Sequence, residues 1–336
     1  MQIHDITALL DKVNARLVVL LCHHNADPDA IGAAFAFSSL LERLRPRIRT
    51  EIAAAEGPSL LSKHLMTALP VKLTANPSIE AADAIVLLDT NTIQQLGDWA
   101  NRIASKPTII VIDHHASHPD TERLAALTVA DENASSTCEI VYRFFMDMNA
   151  RFSEAEAKAL FLGIAFDTRH FILAKSATLK IVADLIDAGV NAQEALALLA
   201  LPMEESERIA RLKASKRVRL LKIGDWIIAL SHVSAYQASA ARALIYLGAH
   251  VAVVAGHKNG KLRLSMRATQ DFYRETGFHL GRELARPLGD YLGGMGGGHA
   301  VSAGVNGVGE LEPCLKRCVR LLNEKLAKAS PRSASP

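Results

Sequence analysis

Cysteine is scarce in this sequence: four residues, Cys22, Cys138, Cys314 and Cys318, lie scattered along 336 positions. So sparse a set excludes the dense disulfide framework of a small secreted domain and fits a reduced, cytoplasmic setting. An excess of charge of one sign is lacking too. The 38 lysines and arginines nearly balance 35 aspartates and glutamates, leaving a formal net charge of +3. That is too little for a protein that coats nucleic acid through a clustered basic face, so any nucleic acid bound is expected to be short. Long apolar runs are missing. The run Leu17–Cys22 falls far short of the ~20 residues needed to span a bilayer. Asp5, Asp11, Lys12 and Arg16 break up the start in a way a secretory signal peptide would not. A soluble protein with no membrane partner is expected. No internal repeat or low-complexity block is evident. The end, Ser330 to Pro336, reads SPRSASP and is expected to lack fixed structure.

Apolar residues make up 49% of the chain, enough for two cores, and the length exceeds that at which one core usually keeps growing. Short apolar runs at Leu17–Cys22, Ile48–Ala53, Ala84–Leu88 and Thr108–Ile112 read as strands. They alternate with helical patterns at Asp29–Leu44, Ser135–Met148, Ser153–Phe166 and Ser176–Ala188. This is the pattern of a parallel sheet covered by helices on both faces. From Asn191 to Leu221 good helix formers predominate, interrupted mainly by Pro202, and a helical linker is expected. A second alternating unit follows, with strands near Trp226–Ser231, His250–His257 and Leu262–Met266 and helices near Ala235–Leu247 and Glu310–Lys328. The expected fold class is α/β: a parallel-sheet domain at 1–189, a linker at 190–220, a smaller α/β domain at 221–328 and a tail at 329–336.

Three of the strands run directly into metal-ligand residue types: His23-His24-Asn25-Ala26-Asp27-Pro28-Asp29, Asp89-Thr90 and Asp113-His114-His115. In open α/β sheets, segments just beyond the strands' carboxyl ends converge in one crevice. Asp167 follows the helical stretch Ser153–Phe166. Asp27, Asp29, Asp89 and Asp167 packed together would repel and take up protons unless cations compensated them. Two divalent ions bring +4 against that −4. Carboxylate and imidazole ligands without thiolate suit manganese, with magnesium, cobalt or zinc as alternatives. A pair of ions ~3.5–4 Å apart is a recurring device for in-line attack on phosphorus.

At these residues the chain resembles a known family. His23-x-x-x-Asp27-x-Asp29, Asp89 after its strand, Asp113-His114-His115 and Gly163-Ile164-x-x-Asp167-Thr168 are similar to the four N-terminal motifs of the DHH phosphoesterase superfamily. That superfamily includes RecJ-like exonucleases, nanoRNases with 3′-phosphoadenosine 5′-phosphate phosphatase activity, cyclic-di-AMP phosphodiesterases and family II inorganic pyrophosphatases. Gly293-Gly-Met-Gly-Gly-Gly-His299-Ala-Val-Ser-Ala-Gly304 resembles the glycine-rich motif of the DHH-associated C-terminal domain. The resemblance implies one metal held by His23, Asp27 and Asp89 and a second by Asp29, Asp89, His114 and Asp167, with Asp89 bridging. It implies that His115 touches the scissile phosphate while Asp113 orients an imidazole. It also implies that His299, beside the amides of Gly297 and Gly298, and Arg267 in Arg263-Leu-Ser-Met-Arg267 hold substrate phosphate.

Two departures stand out. Many nanoRNase-like members carry glycines after the Asp-Thr of the fourth motif, where this chain has Arg169-His170-Phe171. Arg169 and His170 at the rim would add a phosphate contact or narrow the cleft. Ser302 stands where alanine is common, a mild change.

Other features have bland readings. Cys314-x-x-x-Cys318 puts both thiols on one helix side, as core. The basic run Arg208–Lys222 reads as a solvated helix face, His24 as a wall residue, and Ser136-x-x-Glu139 as a capping box.

The expectation is a phosphoesterase that hydrolyses short single-stranded RNA or DNA or small nucleotides through a two-metal-activated hydroxide, and a homodimer is compatible with it. The alternatives are a cyclic-di-AMP or pApA phosphodiesterase, a RecJ-like exonuclease and a non-catalytic nucleotide-binding module.

Overall fold

The computed structural model describes residues 2–106, 108–201, 203–258 and 260–326; the expected tail at 329–336 lies outside them. The chain forms two compact units, Met1–Leu201 and Pro202–Pro336.

In the first unit, strands β1 (Leu17–Cys22), β2 (Arg49–Ala54), β3 (Ala84–Leu88), β4 (Ile109–Asp113) and β5 (Leu127–Ala130) form an all-parallel sheet in the order β2-β1-β3-β4-β5. The runs Leu-Val-Val-Leu-Leu-Cys and Ala-Ile-Val-Leu-Leu are continuous because the sheet is covered on both faces. Val18, Leu20 and Val86 face one core with the helices Pro28–Leu44, Thr137–Asp147 and Glu154–Asp167. Val19, Leu21, Ile85 and Leu87 face the opposite core with Ile79, Leu96 and Ile103. The strand order reverses between β1 and β3, the place where such sheets leave a crevice beyond the strands' carboxyl ends.

Two glycines let the helices close around that crevice. A Cβ on Gly32 would stand 2.6 Å from the Ala159 carbonyl oxygen, and one on Gly163 would stand 2.3 Å from Cys138 Sγ and 2.9 Å from Asp29 Oδ1. The helix that ends at Asp167 starts with a complete capping box: Ser153 Oγ accepts from Glu156 N–H at 3.3 Å, and Glu156 accepts from Ser153 N–H at 2.7 Å.

The second unit is a mixed sheet of β6 (Arg219–Ile223), β7 (Trp226–His232), β8 (Val251–Lys258), β9 (Lys261–Ala268), β10 (Met295–Gly298) and β11 (Ser302–Val308), ordered β10-β11-β9-β8-β7-β6. Only β7 and β8 pair in parallel, and the helix Gln237–Tyr246 connects them. The helix Leu311–Leu326 closes one core, with Cys314 and Cys318 both buried in it, as their spacing predicts. The helix Gln237–Tyr246 packs over part of the opposite face, against β8 and β9.

The stretch 190–220, expected to link the domains, is divided between them. Ala192–Leu198 packs on the helix Glu154–Asp167, and Glu205–Lys216 packs on the helix Gln237–Tyr246. The end of the expected helical stretch is instead edge strand β6, whose helix-forming residues are overridden by pairing with β7. Among the described residues no helix is long and apolar enough to cross a membrane.

Candidate active site

Each ligand candidate of the first unit is placed by backbone geometry. After β1 the chain turns through Asn25 in a left-handed conformation, φ 54°. Asp27 then caps the helix Pro28–Leu44, accepting from the N–H groups of Asp29 at 3.0 Å and Ala30 at 3.1 Å. Asp29, inside the first turn, is fully buried. Its two carboxylate oxygens accept from the N–H groups of Thr137 at 2.6 Å and Cys138 at 2.9 Å, at the start of the helix Thr137–Asp147. Asp89 follows β3 in a left-handed conformation, φ 52°, and accepts from Thr137 Oγ1 at 3.0 Å. Asp113 ends β4, and Asp167 is the last residue of its helix.

These side chains converge. His23, Asp27 and Asp89 form one set of donor atoms all within 4.8 Å of one another; Asp29, His114 and Asp167 form a second, and Asp89, His114 and His115 a third. His23 Nε2 lies 3.8 Å from Asp27 and 3.7 Å from Asp89, while His114 Nε2 lies 3.2 Å from Asp167 and 3.5 Å from Asp89. Asp89 thus faces His23 and His114, and His115 Nδ1 lies 3.5 Å from it as well. His114 Nε2 is buried yet makes no hydrogen bond, although carboxylate oxygens stand close on two sides. Donors around a common ion, with bonds of about 2.0–2.2 Å, are separated by about 3–3.5 Å. An orphaned imidazole nitrogen at such spacing fits a divalent cation better than a proton.

Electrostatics point the same way. Burial, then the charges of Asp167, Asp89 and Asp27, push the Asp29 carboxyl well above its ordinary range. Asp167 is also raised, chiefly by burial. Burial opposes charging of His23, but Asp27, the His24 carbonyl and Asp89 outweigh it and move His23 up to about 9. Crowded carboxylates that would otherwise hold protons are a site built for cations, and metal binding there would release protons.

Beside this cluster, His115 keeps its ring half exposed. Asp113 Oδ1 accepts from both the backbone N–H and Nδ1 of His115, each at 2.8 Å. Asp113 foremost, then Asp89, push His115 up to about 11 against burial. Such a shift favours the imidazolium at neutral pH, and Nδ1 being held by Asp113 leaves Nε2 turned away from it.

Thr137 and Cys138 are the residues that sequence reasoning missed. They act through a hydroxyl and two backbone N–H groups, so no titratable side chain announces them. The nearby signal was Ser136-x-x-Glu139, and half of that box forms: Ser136 Oγ accepts from Glu139 N–H at 3.2 Å. The buried Glu139 carboxylate lies instead 3.6 Å from Arg143, with Oε1 unpaired among the described residues. His24 donates its N–H to the Gln95 carbonyl at 2.8 Å and lines a cavity of about 660 Å³ with His23, Asp27, Leu60, Gln95 and Phe166.

Directly after Asp167 and Thr168, Arg169, His170 and Phe171 take φ of 51°, 58° and 69°. Three successive left-handed residues with side chains cost about 1–2 kcal/mol each. That explains why glycine suits these positions. Thr168 Oγ1 accepts from Phe171 N–H at 3.2 Å, and Phe171 packs edge-on against Phe161, holding the turn.

In the second unit Arg267 is the last residue but one of β9 and stands opposite Ser302 of β11. Its guanidinium donates to its neighbour's carbonyl, Met266 O, at 2.9 Å. Burial, then the charge of Arg242, lower its affinity for its proton. His299 is exposed and follows β10, its N–H donating to Ser302 O at 2.7 Å. The glycines differ in what they do. A Cβ on Gly296 would stand 1.8 Å from the Ala285 carbonyl oxygen, and one on Gly298, φ 138°, would stand 2.5 Å from Ser302 O, whereas Gly297 has open space above it.

Residues 17–164 match the family model described as the DHH family, N-terminal domain. The uncharacterized protein MJ0988 of Methanocaldococcus jannaschii is 34% identical over 300 residues, 89% of this chain and 89% of that protein. The chain belongs to the DHH phosphoesterase superfamily. A probable manganese-dependent inorganic pyrophosphatase of Lactococcus lactis is 30% identical over 188 residues, 53% of this chain and 57% of that protein. A probable bifunctional oligoribonuclease and PAP phosphatase, NrnA, of Streptococcus mutans is 27% identical over 165 residues, 49% of this chain and 50% of that protein. The chain spans about half the length of these two relatives. As a DHH phosphoesterase it is a metal-dependent hydrolase of phosphoester bonds.

Proposed function

We propose that the chain hydrolyses phosphoester bonds in short oligonucleotides or small nucleotides, as a nanoRNase and 3′-phosphoadenosine 5′-phosphate phosphatase would. The observation that carries this reading is that the chain has an aspartate–histidine cluster in one unit and, in the other, Arg267, which forms no ion pair among the described residues, and a glycine-lined sheet edge. Pyrophosphate needs only the first. A nucleotide gives the second something to read.

His23, Asp27 and Asp89 would hold one divalent ion and Asp29, Asp89, His114 and Asp167 another, with manganese favoured by the carboxylate and imidazole donors. When bound, such ions supply Lewis acidity at the phosphoryl oxygens and a water of lowered pKa. Asp113 holds His115 by Nδ1, so the imidazolium's Nε2–H can donate to a phosphoryl oxygen and stabilise charge that grows during attack. Thr137 and the helix start beneath it fix Asp29 and Asp89, so neither carboxylate must reorganise during the reaction. Arg267, His299 and the backbone at Gly297 and Gly298 would hold a substrate phosphate, and Arg169 and His170 a further contact at the rim.

The test is a manganese-supplemented substrate panel of 3′-phosphoadenosine 5′-phosphate, pApA, cyclic-di-AMP, RNA of two to about ten nucleotides, and pyrophosphate. Turnover of the first two and of RNA of two or three nucleotides, falling as the chain lengthens beyond that, is expected. Preference for pyrophosphate, or processive degradation of long RNA, would overturn the reading.

A further inference from the structure

Strand β9 alternates sharply. Leu262, Leu264 and Met266 are buried in the core, so Lys261, Arg263, Ser265 and Arg267 share the other face, opposite Val308, Asn306, Gly304 and Ser302 of β11. Arg263 and Arg267 are four residues apart along a strand, about 13 Å at ~3.3 Å per residue. That is too far for both to sit side by side on one phosphate. It is within the reach of two long side chains holding phosphates of neighbouring nucleotides.

The Lys261 and Arg263 end of this face is hollow. A cavity of about 870 Å³, within the range of ligand pockets, is lined by Tyr236, Gln237, Lys261, Arg263, Met295 and Asn306 among others, none of them acidic. Among the described residues the side chains of Lys261 and Arg263 make no hydrogen bond or ion pair. Tyr236 stands in a left-handed conformation, φ 60°, uncommon for so bulky a residue. Its hydroxyl is tied to Glu204 at 2.6 Å and Ser206 at 2.9 Å, while the residue keeps 37% of its surface exposed. A pinned aromatic face, two unpaired cations and the side-chain amides of Asn306 and Gln237 supply a stacking platform, phosphate contacts and partners for base edges. No feature of the phosphate grip at Arg267 and His299 requires them.

We infer that this cavity is a second nucleotide subsite, taking the base and phosphate of the residue next to the one whose phosphate Arg267 and His299 hold. The inference rests on the reading of the chain as a hydrolase of short oligonucleotides. It makes the second unit a gauge of substrate length, with a trinucleotide bound better than a dinucleotide.

The experiment is steady-state kinetics of the full chain with manganese on 5′-phosphorylated RNA of two and three nucleotides. Wild type should show a lower KM for the trinucleotide. Tyr236→Leu and Arg263→Ala should each remove that advantage, raising the trinucleotide KM about tenfold, as loss of one stacked base does. Tyr236→Phe, which keeps the ring and loses only the hydroxyl, should retain most of it. No trinucleotide advantage in wild type, or one that survives both substitutions, overturns the subsite while leaving the substrate class intact. Hydrolysis of neither RNA, with turnover of pyrophosphate, overturns the substrate class and the subsite with it.

Discussion

The carboxyl ends of the first sheet and the open face of the second are built on opposite principles. Beyond β1, β3 and β4 nearly every polar atom is pinned: Asp27 by its own helix, Asp29 by two backbone N–H groups, Asp89 by Thr137, and His115 by Asp113. Among the described residues Asp113 Oδ2 and His114 Nε2 are buried without a hydrogen bond, and His114 Nε2 is turned toward carboxylates. On β9 and beyond β10 the basic side chains are exposed or partly exposed, and Arg267 donates to a backbone carbonyl. Chemistry needs donors that do not move as charge develops. Capture of a flexible substrate needs donors that can adjust, and in the function proposed that division would follow the two units.

The largest effect is expected at Asp89, which lies within 3.7 Å of His23, His114 and His115. Asp89→Ala should lower kcat by on the order of a thousandfold, since several kcal/mol of transition-state stabilisation depend on the ions it would bridge. Comparable kcat in wild type and variant would show that the cluster is not the reacting centre. Manganese should stabilise the pinned region by mass action. At a hundredfold excess over Kd the gain is about 2.7 kcal/mol, a Tm rise of roughly 5–10 °C for a unit of this size. A melting curve unmoved by manganese and by exhaustive chelation would count against cation binding.

On the other face the signature should differ in kind. His299→Ala and Arg267→Ala should chiefly raise KM on a 5′-phosphorylated dinucleotide, by the ~1.5–3 kcal/mol of a hydrogen bond to a charged group. If both variants keep the wild-type preference for the phosphorylated form, the phosphate is read elsewhere, and the Arg169-His170 turn is the next place to look. There the smallest effect is expected, and its two parts oppose each other. Arg169→Gly or His170→Gly should relieve left-handed strain and stabilise the protein by about 0.5–1 kcal/mol, the unfolded-state entropy of glycine offsetting part of the gain. The same change should raise KM if the strain is kept for a substrate contact. Urea unfolding and kinetics on one preparation check both, and a destabilised glycine variant would show that the turn is held for folding alone.

Legibility in the sequence followed the same divide. β1 and β3 could be read to the residue because strands buried on both faces are continuous apolar runs. The ligand candidates stood out because metal-ligand types ended those runs. The helix Gln2–Lys12 carries its signal in Ile3, Ile6 and Leu10, all buried at helical spacing, beneath charges that serve only to exclude a signal peptide. β10 and β11 were not legible as strands: Met-Gly-Gly-Gly has little strand propensity, and pairing with a neighbour makes it one. Thr137 and Cys138 escaped because backbone donors have no sequence signature. The left-handed run at Arg169–Phe171 could be sensed only as a departure from glycine, and its physical reason emerges with the backbone angles.

In the function proposed, one carboxylate, Asp89, would organise two cation sites for phosphoester hydrolysis. Elemental analysis of wild type and Asp89→Ala after loading with manganese and removal of the excess tests it most directly, with turnover of pApA measured on the same samples. Two ions per chain in wild type, fewer in the variant, and activity that rises with occupancy of the second ion are predicted. Two ions retained by Asp89→Ala, or full turnover by protein stripped of metal, would contradict it.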